Sequence, residues 1–116
     1  MRTAVDNYWN ATGISKRFIS ELSAYCLKMD LIEKIVLYGS RARGDYHRAS
    51  DIDLAIFTRG SSHTQQNLIE QAINQLSTPL KIDVVFMDRL SKEKLIFNIR
   101  REGVVIYEQG KALREA

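Results

Sequence analysis

The apolar residues of the chain follow two spacings, one typical of helices and one typical of strands. In three stretches they recur every three or four positions, which predicts three amphipathic helices. The first covers about residues 15–29, the second follows residues 61–62 and stops at 78–79, and the third begins at Ser91. We expect Ser91 to cap this third helix and Gly103 to end it in the left-handed conformation. The predicted buried positions are Ile19, Leu22, Cys26 and Met29 in the first helix, and Leu68, Ile69, Ala72, Ile73 and Leu76 in the second.

Four shorter apolar runs, residues 35–38, 51–57, 81–87 and 104–107, predict strands. Strands and helices therefore take turns along the chain, without repeats or low-complexity linkers. This order predicts an α/β (α+β) domain, a small mixed sheet with helices packed on one face. The other face of the sheet would then stay open for a substrate.

A glycine-serine turn ends the first predicted strand. Gly39 and Ser40 follow the apolar run 35–38, and residues 41–43 have good helix propensity before Gly44. Glycine lets the backbone approach a ligand closely, and the unpaired N–H groups at a helix start, with the Ser40 hydroxyl, can donate to phosphate oxygens. Arg43 would add charge-assisted hydrogen bonds to the same oxygens. The alternative is a plain turn without a ligand.

Three aspartates lie in the two strands that follow this turn. Asp51 and Asp53 are two positions apart, so both point away from the apolar face of their strand. Two like charges so close are unfavourable without a cation, and Mg²⁺ suits them because it takes one or two carboxylates and completes its shell with water and phosphate. Asp83 is a lone acid inside the next apolar strand. The alternatives are solvated acids at a strand end and, for Asp83, a salt bridge to Arg89 or Lys81.

The turn and the acids together carry a family resemblance. Residues 39–45, 50–56 and 82–85 read Gly-Ser-Arg-Ala-Arg-Gly-Asp, Ser-Asp-Ile-Asp-Leu-Ala-Ile and Ile-Asp-Val-Val. In this order they resemble the minimal nucleotidyltransferases of the polymerase-beta-like superfamily. The resemblance covers about residues 15–107, because residues 98–107 also resemble the closing helix and strand of these small proteins.

The resemblance implies a polymerase-beta-like nucleotidyltransferase fold and Mg²⁺-dependent transfer of a nucleoside monophosphate, with ATP as the expected donor. The implied catalytic and metal-binding residues are Asp51, Asp53 and Asp83. The implied nucleotide-binding residues are Gly39, Ser40, Arg41 and Arg43. Asp83 would bind a second metal ion or accept the proton of the acceptor, and the sequence does not separate these two roles.

No segment of the chain resembles a domain for a second substrate. The small proteins that it resembles are typically paired with a helical HEPN-type partner, often as the antitoxin of a toxin–antitoxin module. Some of them transfer AMP to a tyrosine of that partner, and the resemblance implies the same acceptor here. Tyr8 and Trp9, in the unassigned segment 1–13, are either part of such a contact or part of a tucked or disordered tail.

Two other functions stay open at this point. One is a binding protein that neutralises a partner by occlusion without catalysis. The other is a nucleotidyltransferase for a small molecule or RNA end, related in fold to the aminoglycoside-modifying and RNA-tailing enzymes. Binding of nucleic acid is not expected, because no basic stripe interleaved with aromatic residues is present.

The length of 116 residues allows one hydrophobic core, so we expect a single domain over residues 1–116 with its core at about 15–107. The formal charge of +3 decides little about partners. Cys26 is the only cysteine, which excludes an internal disulfide and suits a reducing cytoplasm. No apolar segment approaches the about 20 residues that span a bilayer, so no membrane association is expected.

Overall fold

The computed structural model describes residues 1–4 and 8–110. Its four helices are α1 (Lys16–Lys28), α2 (Gly39–Arg43), α3 (His63–Asn74) and α4 (Glu93–Glu102). Its five strands are β1 (Arg2–Thr3), β2 (Ile32–Tyr38), β3 (Ile52–Thr58), β4 (Ile82–Phe86) and β5 (Val104–Glu108). Two short 3₁₀ turns cover Tyr8–Ala11 and Met87–Arg89.

The strands form one mixed sheet in the order β1-β5-β2-β3-β4. β2 runs antiparallel to both β3 and β5, whereas β3 and β4, joined by the crossover helix α3, run parallel. The predicted mixed α+β class is therefore confirmed. β4 lies at the edge of the sheet, and its register places Asp83 beside Asp53.

Helices α1 and α3 cover one face of the sheet and enclose the larger core. Both helices have a serine N-cap. The Ser15 and Ser62 side chains each accept a hydrogen bond from the backbone N–H three residues later. The predicted positions Ile19, Leu22 and Cys26 of α1 are buried, and Cys26 is 1% exposed. Met29, also predicted, follows the helix and is partly buried. Alternate positions of β2, β3 and β4 contribute further members of this core, which are Ile35, Leu37, Ile52, Leu54, Ile56, Ile82 and Phe86.

The predicted stripe of α3 is wrong at Leu68, which is 59% exposed. The buried positions of this helix are Gln66, Ile69 and Ile73, spaced by three and four residues. Gln66 is polar, so the hydrophobic pattern did not mark it. Its amide is satisfied inside the fold, because it donates to Asp88 and accepts from Arg89.

Helix α4 packs on the opposite face of the sheet, where no helix was expected. Ile99 is fully buried there against Val36, Tyr38 and Ala55. Part of the predicted open face is therefore covered by a helix that lies next to the aspartates.

The predicted N-cap of α4 is wrong, and its C-cap is the predicted Gly103 but in another conformation. The helix begins one residue later than expected, after Lys92, without a side-chain cap. Gly103 is not left-handed, since its φ is −64°. A different constraint requires glycine at position 103, because a Cβ there would clash with the Ile99 carbonyl oxygen and the Val36 side chain. The glycine thus permits close packing of α4 against the sheet rather than a special turn.

The N-terminal segment is tucked against the domain in the part that the structure describes. β1 pairs with β5, and Trp9 is 3% exposed in the larger core. Trp9 is therefore not an exposed contact residue, while Tyr8 is half-buried at the edge of the same core. Among residues 1–4 and 8–110, no helix combines the length and the apolar character needed to cross a bilayer.

Candidate active site

The glycine-serine turn lies directly against the paired aspartates. β2 ends at Tyr38, and α2 begins at Gly39, whose φ of +75° lies in the left-handed region. A Cβ on Gly39 would clash with Asp53 Oδ2. Two independent features require glycine at this position, which are the left-handed backbone angle and the close approach of the Asp53 carboxylate. The predicted turn and the predicted acid are thus in contact, although they are separated by 14 positions in the sequence.

The structure brings the three predicted aspartates to one edge of the same sheet face. Asp53 and Asp83 are register partners on the parallel strands β3 and β4, and Tyr38 pairs with Asp53 from β2. Neighbouring strands are about 4.8 Å apart, so the two carboxylates are adjacent. Asp51 immediately precedes β3. Asp51 and Asp53 are partly buried, whereas Asp83 is exposed.

This arrangement raises the pKa of Asp53 to about 6. Burial is the main cause, and the charges of Asp83 and Asp51 add to it, while Arg43 and Lys81 oppose it. Tyr38 responds to the same field, since burial and then Asp53 and Asp83 raise the pKa of its phenol. The three acids therefore share one electrostatic site, and Asp53 ionises reluctantly unless a cation is added to it.

The donor set fits a hard cation that keeps several water or phosphate ligands. Within residues 1–4 and 8–110, no three acidic, histidine or cysteine side chains form a ready-made cage around one point. Magnesium needs no such cage, because one or two carboxylates and the substrate phosphates suffice. None of the ion pairs among the described residues involves Asp83, and Arg89 donates to Gln66 instead. The salt-bridge alternative for Asp83 is therefore not observed.

The two predicted arginines of α2 lie in different surroundings. The Arg43 side chain is 42% exposed and forms ion pairs with Asp45 at 3.2 Å and with Glu102 of α4 at 2.9 Å. It also acts on Asp53 electrostatically. Arg43 is thus near the carboxylates and accessible to a ligand from solvent.

Arg41 is 2% exposed and points the other way. Its guanidinium donates to the backbone carbonyls of Thr12 at 2.9 Å and Ser50 at 3.0 Å, and to those of His47 and Arg48. Tyr46 covers the guanidinium, with its ring centroid 4.5 Å away. These contacts do not support the phosphate-binding role expected for Arg41. A helix turns about 100° per residue, so residues 41 and 43 lie on opposite sides of α2, which the sequence alone already implied.

Three further residues contribute to this site, which are Tyr38, Lys81 and Glu102. The sequence indicated Lys81 only as a possible ion-pair partner of Asp83, and it indicated no role for Tyr38 or Glu102. Tyr38 and Lys81 immediately precede the turn and β4, so their closeness to the motifs was a usable signal. Glu102, which pairs with Arg43, is 59 positions away from it. No local pattern connects those two residues, because the contact depends on how α4 packs.

Comparisons with known proteins agree with this geometry. The polymerase beta nucleotidyltransferase family model matches residues 20–112, which is most of the chain. A proposed protein adenylyltransferase of Methanocaldococcus jannaschii is 27% identical over 96 residues, covering 80% of this chain and 95% of its own length.

Solved structures share the fold. A toxin–antitoxin structure with AMP-PNP has a TM-score of 0.58 at 19% identity, covering 84% of this chain and 76% of its own. A mutant of the MntA–HpeT toxin–antitoxin has a TM-score of 0.56 at 20% identity, covering 77% and 70%. A proposed nucleotidyltransferase from Sulfolobus solfataricus has a TM-score of 0.58 at 17% identity, covering 92% and 93%.

The chain thus combines a glycine-serine turn, carboxylates on adjacent strands and a family match across the whole of this region. It belongs to the polymerase beta nucleotidyltransferase family and is a nucleotidyltransferase.

Proposed function

We propose that this protein transfers AMP from ATP, with Mg²⁺, to a tyrosine hydroxyl of a HEPN-type helical toxin, and so acts as an antitoxin. The relative from Methanocaldococcus jannaschii supports a protein acceptor, because its name is that of a protein adenylyltransferase. Two of the solved structures of similar fold are toxin–antitoxin structures, one of them with the ATP analogue AMP-PNP. We further propose that residues 1–116 act as one domain in the cytoplasm.

The observation that carries this proposal is the contact between the Gly39 turn and the Asp53 carboxylate. A phosphate held on the turn would lie beside two adjacent carboxylates. Such a triphosphate can share a divalent cation with Asp53 and its neighbours. The raised pKa of Asp53 supports this use, because a cation removes the repulsion that makes its ionisation unfavourable.

Each residue then has a definite task. Gly39, Ser40 and Arg43 bind the β- and γ-phosphates, and Arg43 exchanges one of its carboxylate partners for phosphate oxygens. Magnesium bound by Asp51 and Asp53 would polarise the phosphates and stabilise the leaving pyrophosphate. We assign Arg41 to holding the site together rather than to contacting the nucleotide, since its guanidinium is occupied by carbonyl oxygens.

The transfer itself is an in-line displacement. The tyrosine oxygen attacks the α-phosphorus, a P–O bond forms, and the bond to pyrophosphate breaks. Asp83 accepts the proton of the attacking hydroxyl, because it is exposed and adjacent to Asp53. Its place at the sheet edge is accessible to a second macromolecule.

Labelled ATP, GTP, CTP and UTP should be incubated separately with the purified protein, Mg²⁺ and the helical protein encoded by the adjacent reading frame. We expect label from ATP on the partner, at a tyrosine identified by mass spectrometry, and none when magnesium is chelated. Asp53→Asn should abolish the label without preventing complex formation. Complex formation with no transfer from any nucleotide would favour occlusion without catalysis and would refute the proposed activity.

A further inference from the structure

An apolar strip leads away from Asp83 on the same face of the sheet. Side chains alternate along a strand, so Val85 shares the side of β4 on which Asp83 lies. Met87, the first residue after β4, packs against the same cluster as Val85. Phe57 of β3 adjoins them in the same cluster, and Lys34 covers one side of its ring at 4.4 Å. Val85, Met87 and Phe57 are all only partly buried. We call these three residues the apolar strip.

Helix α4 covers this strip incompletely. A cavity of about 260 Å³ remains between Phe57 and Met87 on one side and Ile96 and Arg100 of α4 on the other. Pockets for small-molecule ligands usually measure about 300–1,000 Å³, so this cavity is too small for a nucleotide. It is of the size that suits a single large side chain of another protein.

The outer side of α4 continues this surface. Phe97 is 59% exposed, which is unusual for a large aromatic side chain. Exposed Lys94, Arg100 and Arg101 surround it on the helix, and Glu93 is the one exposed acid among the residues of α4. Aromatic and arginine side chains are enriched at protein interfaces, and an apolar centre within a charged rim is the arrangement that such interfaces use.

We propose that the apolar strip, the cavity and the Phe97 side of α4 form the docking surface for the protein acceptor. This inference rests on the proposed function, because it names the surface that presents the acceptor to Asp83. The occupant is a protein segment with one apolar side chain in the cavity and acidic residues facing α4. Asp83 lies near the start of β4 and Met87 directly follows its end, so the reacting hydroxyl lies roughly 10 Å or more from the anchoring side chain.

Charge argues for this occupant over two others. A second copy of this chain would bring the basic side of α4 against itself in a symmetric dimer, which repulsion disfavours. A nucleic acid has no apolar side chain that could enter the cavity, and its phosphates would meet Glu33 and Asp88 there. A protein segment can place an apolar side chain in the cavity while its acidic residues face Lys94 and Arg101 on the outer side of α4.

The test compares Phe97→Glu with Leu68→Glu. Both residues are 59% exposed on helices, but Leu68 lies on α3, on the opposite face of the sheet. Binding to the adjacent-frame protein is measured by calorimetry, and AMP transfer to it is measured separately at varied acceptor concentration. We expect Phe97→Glu to weaken binding and raise the acceptor KM by about tenfold or more, with kcat and ATP affinity unchanged. Leu68→Glu should leave both quantities within about twofold of the wild type.

The double variant Arg100→Glu, Arg101→Glu gives a second measurement, and it should weaken acceptor binding most strongly at low salt. The docking surface would be overturned if Phe97→Glu bound the acceptor as tightly as the wild type does. It would also be overturned if Phe97→Glu and Leu68→Glu lost acceptor affinity equally. The docking surface would likewise be overturned if Phe97→Glu left acceptor binding intact but dissociated a homodimer or abolished RNA binding. Acceptor binding that depends on Phe97 without any transfer would uphold the surface and refute the proposed activity.

Discussion

Among single residues, Asp53 is subject to two opposing requirements. The proposed function requires its carboxylate to be charged so that it can hold a cation. Burial and the neighbouring acids disfavour that charge and raise the pKa to about 6. The folded protein without ligand therefore contains a local electrostatic strain, which a bound cation would relieve.

Replacing Asp53 with Asn should stabilise the protein while it abolishes transfer. The pKa is raised above the usual 3.8, so the folded state holds this proton more tightly than the unfolded chain does. Stability is undiminished below that value and falls as pH rises from about 4 to about 6. At pH 7.5 in chelator, urea unfolding should show Asp53→Asn to be more stable by about 1–2 kcal/mol, after allowance for partial solvent exposure.

The gain should vanish below about pH 4, where both proteins are neutral at this position. Asp30→Asn, which removes an exposed acid outside the cluster, is the control. Magnesium and ATP should stabilise the wild type but not Asp53→Asn. Equal stability of wild type and variant at both pH values would contradict the electrostatic account.

Substituting alanine at Gly39 and at Gly44 separates the cost of the backbone conformation from the cost of a clash with Asp53. Both have positive φ, but a Cβ would clash with Asp53 only at Gly39, and it would meet nothing within 4 Å at Gly44. Gly44→Ala should therefore cost about 1–2 kcal/mol of stability, from the backbone alone, and leave ATP affinity nearly unchanged. Gly39→Ala should cost more and weaken ATP binding by about tenfold or more, because Asp53 must move. Calorimetry with an ATP analogue and urea unfolding would check both; equal ATP affinities would refute the contact.

Among the secondary-structure elements, α2 has two different sides. Arg43 on one side pairs with Glu102 of α4, and Arg41 on the other side joins carbonyl groups from the N-terminal segment and the loop before β3. This short helix therefore connects parts of the chain that are far apart in sequence. The loop that presents Asp51 depends on it, because Ser50 is one of the carbonyl partners of Arg41.

Substitution of Arg41 should mainly lower stability, whereas substitution of Arg43 should mainly weaken ATP binding. Arg41→Lys should lower stability by about 2–4 kcal/mol, because an ammonium group cannot make the four hydrogen bonds that the guanidinium makes. Arg43→Ala should change stability by less than about 1 kcal/mol, since its ion pairs are exposed, but it should weaken ATP binding. Thermal unfolding and calorimetry on both variants test this. A stable Arg41→Lys with weakened ATP binding would restore the phosphate-binding role of Arg41.

At the scale of the whole molecule, one large core lies between the sheet and helices α1 and α3, and a smaller core lies beneath α4. The larger core contains Cys26, which is 1% exposed. Burial raises the pKa of its thiol to about 12. The reactive thiolate is therefore scarce in the folded protein at neutral pH.

Cys26 should consequently report unfolding of the molecule as a whole. Native protein at pH 8 should react with a thiol reagent only as fast as the core opens, and the rate should rise with urea in parallel with unfolding. Protein unfolded in concentrated urea is the control and should react as an ordinary thiol. Rapid, complete labelling of the native protein would show that the larger core opens locally around α1.

Local patterns were sufficient for much of this structure and misleading in definite places. The buried positions Ile19, Leu22 and Cys26 of α1 and the alternation of β3 and β4 were predicted correctly, because each depends on residues close together in sequence. Leu68 was expected to be buried because it is apolar. The expectation failed because the polar Gln66 finds hydrogen-bond partners inside the fold and takes a buried position of α3 instead. Gly103 was expected to be left-handed because glycine often adopts that conformation at helix ends. The sequence cannot show that it packs against a distant neighbour such as Val36.

By itself the sequence determined the class of the fold, the order of its elements and the candidate carboxylates, since hydrophobic periodicity and short motifs are local properties. Only the tertiary structure decided which groups meet. It placed Asp53 against Gly39, turned Arg41 inward, paired Arg43 with Glu102 and laid α4 over the face that was expected to be open. These outcomes depend on strand pairing and on packing between segments far apart in the chain, which no local pattern encodes.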